Sequence, residues 1–285
     1  MSSRRKKSNE RNNLIAGGVV LAAAVAAIGY VGVRSINVPV PDELGCYAEL
    51  DQRTTAVWID PSGPRFDADQ IRSLKNYFLD KLDIGFNERL DVYTSEKDVQ
   101  TSIMQPRFSA CGYARNGQEL VDAGLEPVQL GYLKRQREKQ RKEILEPEFS
   151  AIFTANPDPS RLQEFQSPVL ESFYGIAWNG LESGDRLIAV TDLLQNTESG
   201  RFCTVQGDMP RFEAFKEREV YERLKPRSLE GVEVTVLMLI REGYGQAELP
   251  YCSSEEELKT FFSAYFADNG ASVEFIRLRQ GIGDL

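Results

Sequence analysis

Two aspartates stand directly after hydrophobic runs of the kind that form buried strands. Asp60 follows the run Thr54–Ile59, and Asp192 follows the run Arg186–Thr191. Ser62 stands two residues beyond Asp60. The carboxyl ends of parallel strands meet at one edge of a sheet, so we expect these side chains to lie together there. Their carboxylate and hydroxyl oxygens suit hard divalent cations such as Mg²⁺, Mn²⁺ and Ca²⁺.

The same carboxylates permit two other interpretations. In the first, Asp60 is the nucleophile of a metal-dependent hydrolase that resembles the haloacid-dehalogenase-like phosphatases, and Asp192 assists it. Those enzymes carry a second aspartate two residues after the first, whereas this chain carries Ser62 at that position. In the second interpretation, both aspartates only cap helices or loops.

The chain contains no histidine. This excludes Ser-His-Asp and Cys-His catalysis, histidine proton shuttles and histidine metal ligands. The four cysteines form no Cys-x-x-Cys pair, which argues against a zinc knuckle. Because no catalytic constellation is complete, the leading hypothesis is that the protein is not an enzyme.

Alternating strand and helix patterns surround the candidate residues. Hydrophobic runs predict five strands: Thr54–Ile59, Arg89–Thr94, Arg186–Thr191, Gly231–Ile240 and Ala271–Ile276. Amphipathic and capping patterns predict five helices: Asp67–Leu82, Leu130–Ala155, Ser167–Trp178, Arg211–Leu224 and Ser253–Asn269. Pro106–Gly117 and Gln195–Met209 are expected to be loops, and Ser167, followed by a proline, has the pattern of a helix N-cap. The alternation predicts an α/β fold with a central, mainly parallel sheet flanked by helices.

From roughly Thr54 to Leu278, the order of these elements and motifs resembles the von Willebrand factor A-type (vWA) domain. In that family the first strand ends in Asp-x-Ser-x-Ser, and a later strand ends in a Thr-Asp or Ser-Asp step. A hydroxyl residue before an intermediate helix completes a metal-ion-dependent adhesion site, which holds a divalent cation for the partner's carboxylate. The resemblance implies a Rossmann-like vWA fold and a protein-binding function.

The residues of this chain match the adhesion-site pattern in part. Asp60 and Ser62 match the first motif, Ser167 takes the place of the usual threonine, and Asp192 matches the last acid. Pro64 replaces the second serine, which removes one ligand oxygen and stiffens the turn. The resemblance therefore implies a degenerate site for Mg²⁺, Mn²⁺ or Ca²⁺, in which a cation is weakly bound or dispensable.

The N-terminal region has the pattern of a membrane anchor. Residues 1–13 are basic, and residues 14–33 carry no charge and are long enough to cross a bilayer as one transmembrane helix. The positive-inside rule leaves the N-terminus in the cytoplasm and the main domain in the periplasm or outside the cell. We expect a single-pass inner (cell) membrane protein with a spacer at 34–50, the domain at 51–279 and a tail at 280–285. A signal peptide cleaved after Ala24-Val-Ala26 is the alternative.

An exported domain with four cysteines is expected to form two disulfides. Three pairings are possible. Cys203 and Cys252 follow neighbouring predicted strands, which favours their pairing and leaves Cys46 with Cys111. Four free thiols are the alternative if the domain is cytosolic.

The charge pattern bears on the partners of the protein. The net charge of −9 argues against nucleic acid as a partner. The mixed-charge run at 136–143 is expected to be a solvated helix face, because its signs alternate at i,i+4 spacing. The alternative makes Arg135, Lys139 and Lys142 a docking face for an acidic partner or lipid headgroups. The leading function is that of an anchored binding module for a protein partner in a bacterial envelope complex.

Overall fold

A six-stranded sheet forms the centre of the molecule. The computed structural model describes residues 40–60, 66–94, 104–155, 167–202, 209–240 and 253–279. The strands, including a small separate hairpin of β5 and β6, are β1 Thr54–Ile59, β2 Arg89–Thr94, β3 Phe108–Cys111, β4 Arg186–Thr191, β5 Asn196–Thr197, β6 Gly200–Arg201, β7 Glu233–Ile240 and β8 Ser272–Arg279. The order in the sheet is β3-β2-β1-β4-β7-β8. All neighbours are parallel except β2 and β3, which are antiparallel.

The strand order defines a point at which the direction of winding reverses. From β1 the chain moves outward to β2 and β3, and it then returns to β4 on the other side of β1. In such doubly wound sheets, the crevice for ligands lies at the carboxyl ends of the two strands that flank the reversal. Here these are β1 and β4, which pair directly in the register Ile59 to Val190.

Helices cover both faces of the sheet. Their bounds are α1 Ala68–Asn76, α2 Gly117–Asp122, α3 Leu130–Gln140, α4 Glu146–Phe153, α5 Val169–Ala177, α6 Phe212–Lys216, α7 Glu219–Leu224 and α8 Glu255–Asp268. A π-helical turn, Tyr77–Lys81, extends α1, and a second, Arg141–Leu145, joins α3 to α4. Asp67 caps α1 with Gln70, and Ser254 caps α8 with Glu257, each in a capping box.

Aromatic side chains fill the two main cores. On one face of the sheet, Phe78 of the first π-helical turn stacks on Phe149 of α4 with ring centroids 4.8 Å apart. On the other face, Phe173 of α5 contacts Trp58 of β1 and Phe266 of α8 in edge-on geometry, at 5.1 and 5.0 Å. These rings are fully buried or nearly so, and they fix α4 and α5 against the strands that carry the candidate site.

The α/β class, the mainly parallel sheet and the five predicted strands are confirmed. Four local predictions were wrong. Phe108–Cys111, expected within a loop, is the antiparallel edge strand β3, and the predicted loop after β4 contains the β5–β6 hairpin. The predicted helix Arg211–Leu224 breaks into α6 and α7 around Glu217. Helix α5 begins after Pro168, so Ser167 does not cap it.

Several predictions fall on residues outside the described part of the chain. These are the basic tail at 1–13, the membrane anchor at 14–33, the first six residues of the spacer at 34–39, the tail at 280–285, Ser62, Pro64, Cys203 and Cys252. Among the described residues, no helix combines the length and apolar character needed to cross a membrane.

Candidate functional site

Asp60 lies at the reversal point of the sheet, immediately after β1. Its backbone N–H donates to the carbonyl of Val190 in β4, 2.9 Å away, so the neighbouring strand holds it in the sheet register. The residue is buried, with 3% of its surface exposed. A buried carboxylate requires compensating hydrogen bonds or a cation.

Two hydroxyls from different elements point at the same oxygen of Asp60. The Thr191 hydroxyl, at the end of β4, donates to Asp60 Oδ2 at 3.0 Å. The Ser167 hydroxyl, just before α5, donates to that oxygen at 3.4 Å. Three chain segments that are far apart in sequence therefore converge on one carboxylate, as expected for Asp60 and Ser167.

Backbone pairing holds Ser167 in place. Its N–H donates to the carbonyl of Asn196 at 3.1 Å, and the N–H of Asn196 donates back at 2.9 Å. This bridge attaches Ser167 to the β5–β6 hairpin, which follows the carboxyl end of β4. The N-terminus of α5 is served instead by Gln195, whose Oε1 accepts from the N–H of Leu170 at 2.8 Å. The hydroxyl of Ser167 is thereby left to reach Asp60.

Asp192 takes part in a tight turn after β4. Its Oδ1 accepts from the N–H of Leu194 at 3.0 Å, and Thr191 Oγ1 accepts from the N–H of Leu193 at the same distance. Leu193 has a positive φ of 62°, an uncommon conformation for a leucine that this turn imposes. Asp192 is buried and adjoins the Asp60 cluster through its neighbour Thr191.

A second polar network, which the sequence does not predict, adjoins the cluster through Gln195, the neighbour of the Asn196 that pairs with Ser167. Gln195 Nε2 donates to Glu171 Oε2 at 2.9 Å and to Thr197 Oγ1 at 2.6 Å. The Thr197 hydroxyl donates to the other oxygen of Glu171 at 2.7 Å. Glu171 also influences a phenol nearby. Burial raises the pKa of Tyr265 well above its usual value, and Tyr221 and Glu171 raise that pKa further. The one sequence signal was a glutamate inside the otherwise apolar start of α5.

The oxygens around Asp60 meet the requirements of a hard cation only in part. Two neighbouring ligands of an octahedral ion bound at about 2.1 Å lie about 3.0 Å apart. The separations of Thr191 and Ser167 from Asp60 Oδ2 are close to this value. However, the described residues contain no group of three or more acidic or cysteine side chains placed to hold a metal. The donor chemistry fits Mg²⁺, Mn²⁺ or Ca²⁺, but the acidic charge in the described part of the site is limited to Asp60 and Asp192.

The structure joins Cys46 to Cys111 in a disulfide, one of the two expected pairs. Cys111 ends β3, and its N–H also donates to the carbonyl of Leu44 at 2.9 Å. Asn87, before β2, adds three further bonds, because its side chain accepts from the N–H of Tyr47 at 2.7 Å and donates to the carbonyls of Tyr47 at 3.1 Å and Asp51 at 3.3 Å. The segment that leads into the domain is therefore attached to the β2–β3 edge of the sheet, away from Asp60.

Comparison with known proteins adds no family assignment. The chain matches no family model, and no curated protein resembles it closely enough to count as a match.

Proposed function

We propose that this protein is a membrane-anchored, vWA-like binding module that docks a protein partner at the carboxyl edge of its sheet, within a bacterial envelope complex. The observation that carries the proposal is the convergence of Thr191 and Ser167 on Asp60 at the reversal point of the sheet. The vWA resemblance assigns its adhesion site to these same three chain segments. The doubly wound strand order supports a partner-facing crevice at this edge.

The proposed site is degenerate and does not depend on a cation. Asp60 Oδ2 accepts two hydroxyl hydrogen bonds, which stabilise its buried charge within the protein. Asp192 uses one oxygen to hold its own turn. The partner would then contact the exposed rim of this edge, which includes Glu198 at the tip of the β5–β6 hairpin, rather than complete a metal shell.

A charge reversal on the rim tests this location. Glu198 is exposed on the β5–β6 hairpin, which pairs with Ser167 at the carboxyl ends of the strands. Glu182 is exposed in the turn before β4, at the amino ends of the strands. Affinity capture of the intact, cross-linked membrane protein should lose its partner in Glu198→Arg and retain it in Glu182→Arg. Equal capture by both variants would place the partner elsewhere on the molecule.

Turnover separates this proposal from the hydrolase alternative. The purified full-length protein should release no phosphate from a generic phosphate ester in the presence of Mg²⁺. Hydrolysis that Asp60→Asn abolishes, while Asp91→Asn on β2 leaves it intact, would instead establish the enzyme.

A further inference from the structure

Exposed apolar side chains are concentrated in one region, where the chain enters the domain. Among the described residues from Pro41 onward, seven large apolar side chains are exposed, and five of them are Leu44 and members of the stretch 121–132: Leu44, Val121, Val128, Leu130 and Tyr132. Single exposed apolar residues are normal on a protein surface. A concentration of this kind at one end of a domain indicates an interaction surface.

A small core holds these stretches together. Leu120 of α2 and Leu133 of α3 pack with Ala114 and with the partly buried Phe86. The ring of Tyr47, one residue after the disulfide-bonded Cys46, lies 5.6 Å from that of Phe86. Burial raises the pKa of Tyr47, and Tyr113 and Tyr132 raise it further. The entry segment and the start of α3 therefore share one surface.

The helical stretch 130–145, which joins α3 to the second π-helical turn, adds unpaired positive charge to this surface in its first half, residues 130–137. Residues 130–145 carry six cations and two acids in a chain whose net charge is −9. The three cations of the second half are paired: Lys139 with Glu143, Arg141 with Asp80, and Lys142 with Glu138. The three of the first half are exposed and form no ion pair with any described residue: Lys134, Arg135 and Arg137. The i,i+4 pairing on which the prediction of a solvated helix face rested is therefore present for Lys139 and Lys142 only.

This surface lies near the apolar run 14–33 along the chain, and that position favours a lipid bilayer as its partner. The apolar run at 14–33 ends seven residues before Val40. Seven residues of extended chain reach about 25 Å at most. Unpaired cations beside exposed leucine and tyrosine side chains have the composition of surfaces that lie at the headgroup level of a bilayer. An acidic protein face would explain the cations but not the apolar residues beside the entry segment.

We propose that this entry surface, formed by Leu44, Val128, Leu130 and Tyr132 with Lys134, Arg135 and Arg137, rests on anionic phospholipid headgroups. The proposal builds on the membrane attachment proposed above and goes beyond it, because it orients the domain. The entry surface lies against the lipid, and the β2–β3 edge to which the entry segment is bonded is the edge nearest the bilayer.

The full-length protein in nanodiscs tests the entry surface. Hydrogen exchange of residues 124–140 is measured in discs of phosphatidylcholine alone and of phosphatidylcholine mixed with phosphatidylglycerol. We expect slower exchange in the anionic discs, an effect that added salt reverses. The triple variant K134Q/R135Q/R137Q should weaken docking on the order of a hundredfold and exchange alike in both discs. The matched variant K139Q/R141Q/K142Q, which removes three paired cations of the same helix, should retain the protection.

Resistance of the protein to alkaline extraction reports the anchor separately. If the chain does not insert, binding is measured by sedimentation with vesicles of the same two compositions. Binding that requires both phosphatidylglycerol and the three unpaired cations would support the entry surface independently of the anchor. The proposal is overturned if hydrogen exchange and vesicle sedimentation are the same with and without phosphatidylglycerol. Protection of α3 that arises only on addition of a protein partner overturns it as well, in favour of an acidic protein face.

Discussion

The hydroxyl of Thr191 donates a hydrogen bond to the carboxylate of Asp60 across the reversal point of the sheet. Both residues are buried, and each stands at the carboxyl end of its strand. The same hydroxyl oxygen accepts from the N–H of Leu193. Thr191 thus joins the acid of the candidate site to the turn that contains Asp192, and it fixes the geometry of both.

The first prediction concerns this hydroxyl. Thr191→Val keeps the shape of the side chain but leaves a buried carboxylate oxygen and a backbone N–H each short of one partner. We expect it to lower the free energy of unfolding by about 1–3 kcal/mol. Thr94 ends the neighbouring strand β2, is partly buried, and makes no hydrogen bond from its hydroxyl to another described residue, so Thr94→Val is the control for loss of a strand-end hydroxyl. Equal urea midpoints for the two variants would show that the hydroxyl does not stabilise Asp60.

The second prediction concerns the Cys46–Cys111 disulfide. It closes a loop with a sequence separation of 65 residues and attaches the entry segment to β3. Its removal in Cys46→Ser/Cys111→Ser should lower the free energy of unfolding by about 2–4 kcal/mol. It should also make residues 42–50 more sensitive to protease under native conditions, because that segment would then depend mainly on its bonds to Asn87 and β3.

The wild-type protein without a reductant provides the reference for this experiment. Asn87→Gly separates the two attachments, because glycine tolerates the positive φ of 58° at this position. That variant removes the side-chain bonds to Tyr47 and Asp51 but keeps the disulfide, so cleavage within 42–50 should rise less than in the double serine variant. A double serine variant that resists protease like the wild type would show that the hydrogen bonds alone hold the segment.

The third prediction concerns pH and Glu88, before β2. Burial by itself raises the pKa of this carboxyl, but hydrogen bonds from the Thr55 hydroxyl, the Arg186 guanidinium and the N–H of Gly85 outweigh burial and lower the pKa overall. A carboxyl whose pKa is lower in the folded state stabilises the protein above its unfolded pKa, and that stability is lost as pH falls through the folded pKa. We therefore expect Glu88 to contribute near neutral pH and to lose that contribution below about pH 4.5.

Urea unfolding at a series of pH values checks this contribution. In Glu88→Gln, the loss of stability between neutral and acidic pH should be smaller than in the wild type. Glu182→Gln, which removes an exposed carboxyl that forms no ion pair with another described residue, should leave the wild-type pH dependence unchanged. A pH profile of Glu88→Gln that runs parallel to that of the wild type would contradict the assignment.

The long elements could be predicted from sequence because their signals are local. The strands β1, β4 and β7 are continuous apolar runs, and α8 carries its own capping box with Ser254. The strand β3 has four residues between a proline-containing stretch and a glycine, and it is a strand only because β2 lies beside it. Pairing with a distant partner leaves no periodicity in so short a segment.

The candidate site shows the same division. Asp60 and Asp192 could be recognised as acids at strand ends, and Ser167 as a hydroxyl before a helix. Local pattern made Ser167 an N-cap, yet Gln195 serves the helix N-terminus and the Ser167 hydroxyl reaches Asp60. Gln195 stands 25 residues from Leu170, so this exchange of roles is a tertiary effect that no local motif encodes.

The last prediction decides whether the site around Asp60 uses a cation. An ion bound only to the folded state would raise the free energy of unfolding by about 2.7 kcal/mol at a hundred times its Kd. For a degenerate site, we expect Mg²⁺, Mn²⁺ and Ca²⁺ each to leave the thermal midpoint of the full-length protein unchanged. A chelator should likewise leave partner capture intact, because two hydroxyls already stabilise the carboxylate.

The variants Asp60→Asn and Asp91→Asn give this measurement its specificity. Both replace a buried aspartate on neighbouring strands, but Asp91 bonds to Ser109 and Arg89 near the start of β2, far along the strand from the reversal point. A saturable rise in thermal midpoint that Asp60→Asn abolishes and Asp91→Asn preserves would show a working adhesion site. Partner capture would then require the ion, since the carboxylate of the partner completes its shell.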